Sequence, residues 1–171
     1  PLDFVDWLLY RFIVCASPKQ LKFLKRLSSD FIKREFCMLR GINHITIAVS
    51  NLQRSYDFYS GLLGMKPHVL WESGAYLTSG DIWFCLSLDA ATPAQDYSHI
   101  ALDIDEVDYD TFVAGLREAG VIEWKQNTSE GSSLYFLDPD GHKLEIHCGT
   151  LQSRLDTLKS KPYAGLTWFD C

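Results

Sequence analysis

Two histidines and one glutamate stand where they could hold a divalent cation. His44 and His99 open two similar stretches, "NHITIAVSNLQRSYDFYSGLLGM" and "SHIALDIDEVDYDTFVAGLREAG", and Glu145 lies in "DPDGHKLEIH". A single histidine in a strand is more often structural than ligating; this pair differs in occupying equivalent positions of one repeated pattern. Two imidazoles and a carboxylate leave coordination positions open, which suits a catalytic divalent ion and an oxygen-bearing substrate. His68, His142 and His147 lack that symmetry and read as turn or surface residues. His147 shares the strand face of Glu145 and is the main rival ligand.

The elements that must position these groups follow from local pattern. Asp-Pro-Asp-Gly at 138–141 suits a type I turn, with Pro139 at i+1 and Gly141 at i+3. In the strand that follows, Leu144 and Ile146 share one face while Lys143, Glu145 and His147 share the other. In the repeat, Ile45, Ile47, Val49 and Leu52 align with Ile100, Leu102, Ile104 and Val107, and Gly64 aligns with Gly120 after a one-residue slip. Each copy reads as a strand and then a helix. The first helix is expected to start at a capping box, Ser50-Asn51-Leu52-Gln53, and to bury Leu52, Tyr56, Tyr59 and Leu63. The second carries Tyr109, Phe112, Val113 and Leu116, with Gly120 just past its end. Hairpins follow: "GAYLTSG" with "DIWFCLSL", and "SSLYFLD" with "HKLEIH", Tyr76 matching Tyr135.

The expected fold class is therefore α+β. Two βαβββ modules, about 38–90 and 96–149, form curled mixed sheets around a metal cavity, and a tail over 150–171 contains Arg154. The aliphatic faces pack under the helices. The opposite faces carry His44 and Thr46 in one module and His99, Tyr135 and Glu145 in the other.

Composition excludes several classes. Residues 38–171 carry nine Lys/Arg against eighteen Asp/Glu, so this acidic domain is a poor partner for nucleic acid. The apolar run from Trp7 to Ala16 is broken by Arg11 and too short to span a bilayer, so no integral membrane contact is expected. Five scattered cysteines without a CxxC fit reduced thiols in the cytoplasm.

The repeat, with His, His and Glu on its strands, resembles the vicinal oxygen chelate superfamily of glyoxalase I, extradiol dioxygenases and bleomycin-binding proteins. "MLRGINHITIAV", "DYSH", "EWKQNTSEGSSLYFLDPDGHKLEIH" and "PYAG" are similar to the fosfomycin resistance glutathione transferases, from about Met38 to Phe169. The resemblance implies a manganese-dependent opening of the fosfomycin epoxide by glutathione, aided by potassium. It places the metal ligands on His44, His99 and Glu145, and substrate contacts on Thr46, Trp83, Lys125, Ser129, Tyr135 and Arg154. Potassium falls on Asn127, Ser129, Gly131 and Ser133. Thr46 and Tyr76 are implied to be catalytic, Tyr76 near the thiol. It also implies a homodimer in which His44 of one chain joins His99 and Glu145 of the other.

The residue types agree with that chemistry. An epoxide is strained but its leaving alkoxide is poor, so a Lewis acid on the ring oxygen lowers the barrier. A phosphonate dianion needs cations and hydroxyl donors, which Lys125, Arg154, Ser129 and Tyr135 can supply. The loop "NTSEGSS" offers hard oxygen ligands to a weakly hydrated cation. The nucleophile is a separate thiol, since Cys85 has no evident base beside it and reads as a packing residue. The rival functions are a metal-free drug-sequestering protein, a glyoxalase-type isomerase and a dioxygenase. Residues 1–37 lie outside the resemblance. There "SPKQLKFLKRLSSDF" reads as a helix, with Ser17 as cap, an apolar stripe of Leu21, Leu24, Leu27 and Phe31, and a basic face. A membrane-surface helix is one reading of it; an extension not native to the domain is the expected one.

Overall fold

A computed structural model of the chain describes residues 39–169. The helix expected between residues 17 and 31 lies outside the described residues. The first module runs β1 (His44–Val49), α1 (Leu52–Tyr56, continued by a π-helical turn over Asp57–Leu62), β2 (Lys66–Trp71), β3 (Gly74–Ser79) and β4 (Ile82–Leu88). The second runs β5 (Ile100–Asp103), α2 (Glu106–Glu118), β6 (Glu123–Lys125), β7 (Ser133–Leu137) and β8 (Lys143–His147), and α3 (Leu151–Ser160) follows. The sheets have the same order, β1-β4-β3-β2 and β5-β8-β7-β6. In each, the first pair is parallel and the others antiparallel, and neither sheet closes into a barrel. The two βαβββ modules expected from the repeat are thus both present.

One core joins them. Ile47, Val49, Leu77, Phe84 and Leu86 from the first sheet meet Leu134, Phe136, Leu144 and Ile146 from the second, with Tyr59, Val113 and Leu116 from the helices. The period-two alternation of each strand sends these side chains to one face and leaves the opposite faces for other work. Gly120 follows α2 at φ +75°, a left-handed value that favours glycine.

The start of α1 departs from expectation. Asn51, not Ser50, is the cap, and its side chain accepts from the Arg54 N–H at 3.0 Å. Ser50 instead turns both its N–H and its hydroxyl to the Asp140 carboxylate, which also takes the Arg54 guanidinium at 2.6 Å. The cap was misplaced because its competitor lies 90 residues away in the second module. Next to it, the Tyr59 hydroxyl donates to Asp138 at 2.8 Å and His142 Nε2 donates to the Ala48 carbonyl at 2.8 Å. His142 is therefore a tie between modules.

Burial pushes the Asp140 carboxyl up, but the Ser50 hydroxyl, the Ser50 N–H and Arg54 outweigh it and hold it below the usual carboxylate range. A depressed value in the folded state stabilises the fold above the unfolded value and is lost as pH falls through the folded one. Asp140→Asn is therefore expected to cost roughly 1–3 kcal/mol at neutral pH. In urea titrations, its difference from wild type should shrink as the solution is acidified.

Candidate functional site

The outward face of the second sheet gathers most of the polar chemistry. Cross-strand pairing sets Ala101, Glu145, Tyr135 and Lys125 in one row, and Asp103, His147 and Ser133 in the next. His99 stands immediately before β5, and its Nε2 lies 2.9 Å from Glu145 Oε2. Its Nδ1 lies 2.9 Å from the Tyr97 carbonyl, which can only accept, so Nδ1 carries hydrogen. Both ring nitrogens thus face acceptors. An imidazolium satisfies that arrangement; so does a neutral imidazole with a cation in place of the Nε2 proton. A carboxylate 6% exposed beside an imidazole nitrogen fits a divalent ion such as manganese. The Tyr97 carbonyl is the kind of partner that orients a metal-binding histidine.

Burial pushes the Glu145 carboxyl up, yet hydrogen bonds from Ser133, Tyr135 and His99 and the charge of the imidazole hold it below its ordinary value. The Tyr135 phenol is raised, first by burial and then by Glu145, with Ser129 opposing. Lys125 Nζ donates to the Tyr97 hydroxyl at 2.6 Å and sits 4.4 Å and 4.5 Å from the Tyr135 and Tyr97 ring centres. That hydrogen bond raises its pKa, so the ammonium is fully charged at neutral pH.

The loop "NTSEGSS" is closed by its own side chains. Asn127 Oδ1 accepts from the Ser129 N–H at 2.9 Å, and Asn127 Nδ2 donates to the Gly131 carbonyl at 2.8 Å. Gly131 has φ +80°, and a Cβ there would lie 2.6 Å from the Cys148 carbonyl, so a side chain is excluded. Arg154, from α3, donates to the Glu130 carbonyl at 3.2 Å and lies 3.5 Å from its carboxylate. Glu130 Oε2 has no hydrogen-bond partner although it is buried. That oxygen already faces the Arg154 guanidinium, so it is the Ser129 and Ser133 hydroxyls, hard oxygen donors, whose chemistry fits a monovalent cation such as potassium. Arg154 and Ser129 also border a cavity of about 450 Å³.

The outward face of the first sheet carries the remaining residues. Its rows are His44, Trp83 and Thr78, then Thr46, Cys85, Tyr76 and Val69. His44 Nδ1 meets Asn43 Oδ1 at 2.8 Å, so Nε2 is the ring nitrogen that could ligate, and the ring packs 4.6 Å from that of Trp83. Tyr76, 38% exposed, stands edge-on between Trp83 and Trp71. Trp83 Nε1 is shielded from solvent yet has no acceptor. The place that Glu145 holds in the second sheet is taken here by Cys85, so this face has a histidine but no carboxylate. Among the described residues no three His, Cys, Asp or Glu side chains are grouped to hold a metal. One chain brings His99 and Glu145 together and keeps His44 on the other sheet.

Two residues near these groups went unrecognised in the sequence. Tyr97 supports both His99 and Lys125, but it sits in a loop without periodicity. Glu130 reads as an ordinary charged turn residue. His147, read with the turn and surface histidines yet named the main rival ligand for sharing the strand face of Glu145, is on β8 with Nδ1 2.8 Å from Ser133 Oγ.

Comparison with known proteins follows the same lines. The family described as Glyoxalase/Bleomycin resistance protein/Dioxygenase superfamily matches residues 41–146. The chain is 52% identical over 136 residues to the glutathione transferase FosA of Serratia marcescens, covering 77% of this chain and 96% of that protein. It is 44% identical over 126 residues to the metallothiol transferase FosB of Shouchella clausii, covering 69% and 86%. Among solved structures, the fosfomycin resistance protein FosX from Mesorhizobium loti aligns with a TM-score of 0.61 at 31% identity, over 69% of this chain and 99% of that one. A mutant of FosX from Listeria monocytogenes, complexed with Mn(II) and 1S,2S-dihydroxypropylphosphonic acid, aligns with a TM-score of 0.61 at 27% identity, over 70% and 99%.

Proposed function

The chain belongs to the glyoxalase/bleomycin resistance protein/dioxygenase superfamily and, within it, to the family of the thiol transferases FosA and FosB; on that premise we propose that it inactivates fosfomycin by adding glutathione to the epoxide. The observation that carries this reading is the half-buried His99–Glu145 pair beside Tyr135 and Lys125, a carboxylate and imidazole next to hydroxyl and ammonium donors. It supports a metal-dependent enzyme over a metal-free sequestering protein, which has no use for such a pair.

His44, His99 and Glu145 would hold the divalent ion, manganese by the chemistry of the set and by the Mn(II) in the FosX complex. When bound, the ion supplies Lewis acidity to the epoxide oxygen. Lys125, Arg154, Ser129 and Tyr135 bind and orient the phosphonate, and Lys125 is already charged and held between two rings. Asn127, Ser129, Gly131 and Ser133 form the potassium loop. Thr46 and Tyr76 face the reacting centre from the first sheet, Tyr76 toward the thiol and Trp83 against the substrate. The thiol sulfur forms a bond to an epoxide carbon as the C–O bond breaks, and the alkoxide takes up a proton. We infer that a second copy of the chain completes the site, giving a homodimer with shared sites; the position of His44 on a different sheet from His99 and Glu145 supports this reading. No described helix is long and apolar enough to cross a membrane, and we place the protein in the cytoplasm. Residues 38–171 form the working domain, with residues 1–37 an extension to it.

The direct test incubates the protein with manganese, glutathione and fosfomycin and follows product mass. A glutathione adduct is expected. Drug that is bound but unchanged would instead indicate sequestration, and a diol phosphonate would indicate water as the nucleophile.

Lys125→Ala is expected to raise the apparent KM for fosfomycin by roughly tenfold or more, with a smaller effect on kcat, because a charge-assisted contact to the phosphonate is lost. Steady-state kinetics check it; an unmoved KM would make Lys125 a surface residue.

A further inference from the structure

His147 has no part in the chemistry above, yet it is held more tightly than a bystander needs. Its ring lies between two glycines whose missing side chains make room for it. A Cβ on Gly131 would come within 3.1 Å of His147 Cε1, and one on Gly149 within 3.0 Å of Nε2. Both glycines have positive φ, +80° and +142°. His147 Nδ1 meets Ser133 Oγ at 2.8 Å, across the β7/β8 pair that sets these residues opposite one another. The same Nδ1 is 3.7 Å from Glu145 Oε1, beyond a hydrogen bond, so its polar partner is the serine.

We propose that His147 is a positioning residue: its Nδ1–H fixes the Ser133 hydroxyl so that the hydroxyl hydrogen points at Glu145 and sets that carboxylate for the divalent ion. A serine hydroxyl has one hydrogen and two lone pairs. With one lone pair accepting from Nδ1 and the hydrogen given to Glu145, the second lone pair is left for the cation loop that begins at Asn127. Without the histidine donor the hydroxyl is free to rotate, and the buried carboxylate loses a fixed partner. Partners of this kind, which orient a metal-binding group, are typically worth about 10–100-fold in metal affinity. The inference rests on the proposed divalent site, and it gives Ser133 a task besides potassium.

The test measures Mn(II) binding to the substrate-free protein from the electron paramagnetic resonance signal of the free ion. His147→Phe keeps a ring between the glycines and removes both nitrogens; its affinity is expected to fall about 10–100-fold. In His147→Asn the side-chain amide nitrogen stands in for Nδ1, and affinity should stay near wild type. Ser133→Ala should lose as much as His147→Phe, and the double variant should lose no more than either, since one link is cut in each case. Should His147→Phe fail to fold, His147→Ala takes its place, with the same expected fall against His147→Asn. Unchanged affinity in His147→Phe, an Asn variant as weak as Phe, or additive losses would each overturn it. Wild-type protein that does not bind Mn(II) would overturn the divalent site and this inference together; wild-type binding with an unmoved Phe variant overturns this inference alone.

Discussion

Mixing inactive His44→Ala protein with inactive Glu145→Ala protein, under conditions that exchange subunits, is expected to restore about a quarter of the wild-type sites. The two residues stand on different sheets of one chain, His44 beside Trp83 and Glu145 beside His99. If a twofold partner supplies the missing half, each dimer has two equivalent sites, and each site draws on both chains. In a mixed dimer one site then collects both defects. The other has native His44 from one chain and native Glu145 from its partner. About half of randomly assorted dimers are mixed, and each contributes one good site in two, hence the quarter. Exchange verified by mass, with no recovered activity, would place each site within one chain and remove the shared dimer.

Glu145→Gln is expected to reduce turnover by about a hundredfold or more while leaving the fold intact. The amide keeps the shape of the side chain but removes the only carboxylate in the proposed ligand set, so divalent affinity should fall with activity. The fold should survive because the packing of β8 depends on Leu144 and Ile146, which point the other way into the core. A glutamine also keeps a carbonyl acceptor for the donors that surround the carboxylate, Ser133, Tyr135 and His99. Circular dichroism, Mn(II) titration and adduct formation together check the three parts. Full activity with metal still bound would shift the ligand role to His147.

Much of the fold was legible because it depends on local regularities. Period-two alternation put Ile45, Ile47 and Val49 on one side and His44 and Thr46 on the other, and sheet pairing kept them there. The repeat was visible because two stretches of equal pattern fold by the same local rules, and Gly120 marked the end of α2 for the same reason. The face carrying Glu145, Tyr135 and Lys125 was partly legible too, since alternation assigns each residue a side of its strand.

Tertiary structure alone decided which groups meet. His44 and His99 are equivalent in the repeat, so the sequence makes them equal candidates to stand beside Glu145. The choice is made by β8 pairing in parallel with β5 while β1 pairs with β4, and such pairings are made across long separations in the chain. The same holds for Ser50, which fits a helix cap by sequence and is claimed by Asp140 from the other module. It holds for Tyr97, tied to Lys125, and for His147, seated between Gly131 and Gly149. Alternation and capping act between residues a few positions apart and are written in the order of the chain. A hydrogen bond or a ligand pair acts over about 3 Å of space. Which residues occupy that space is set only when the sheets pair and the modules pack.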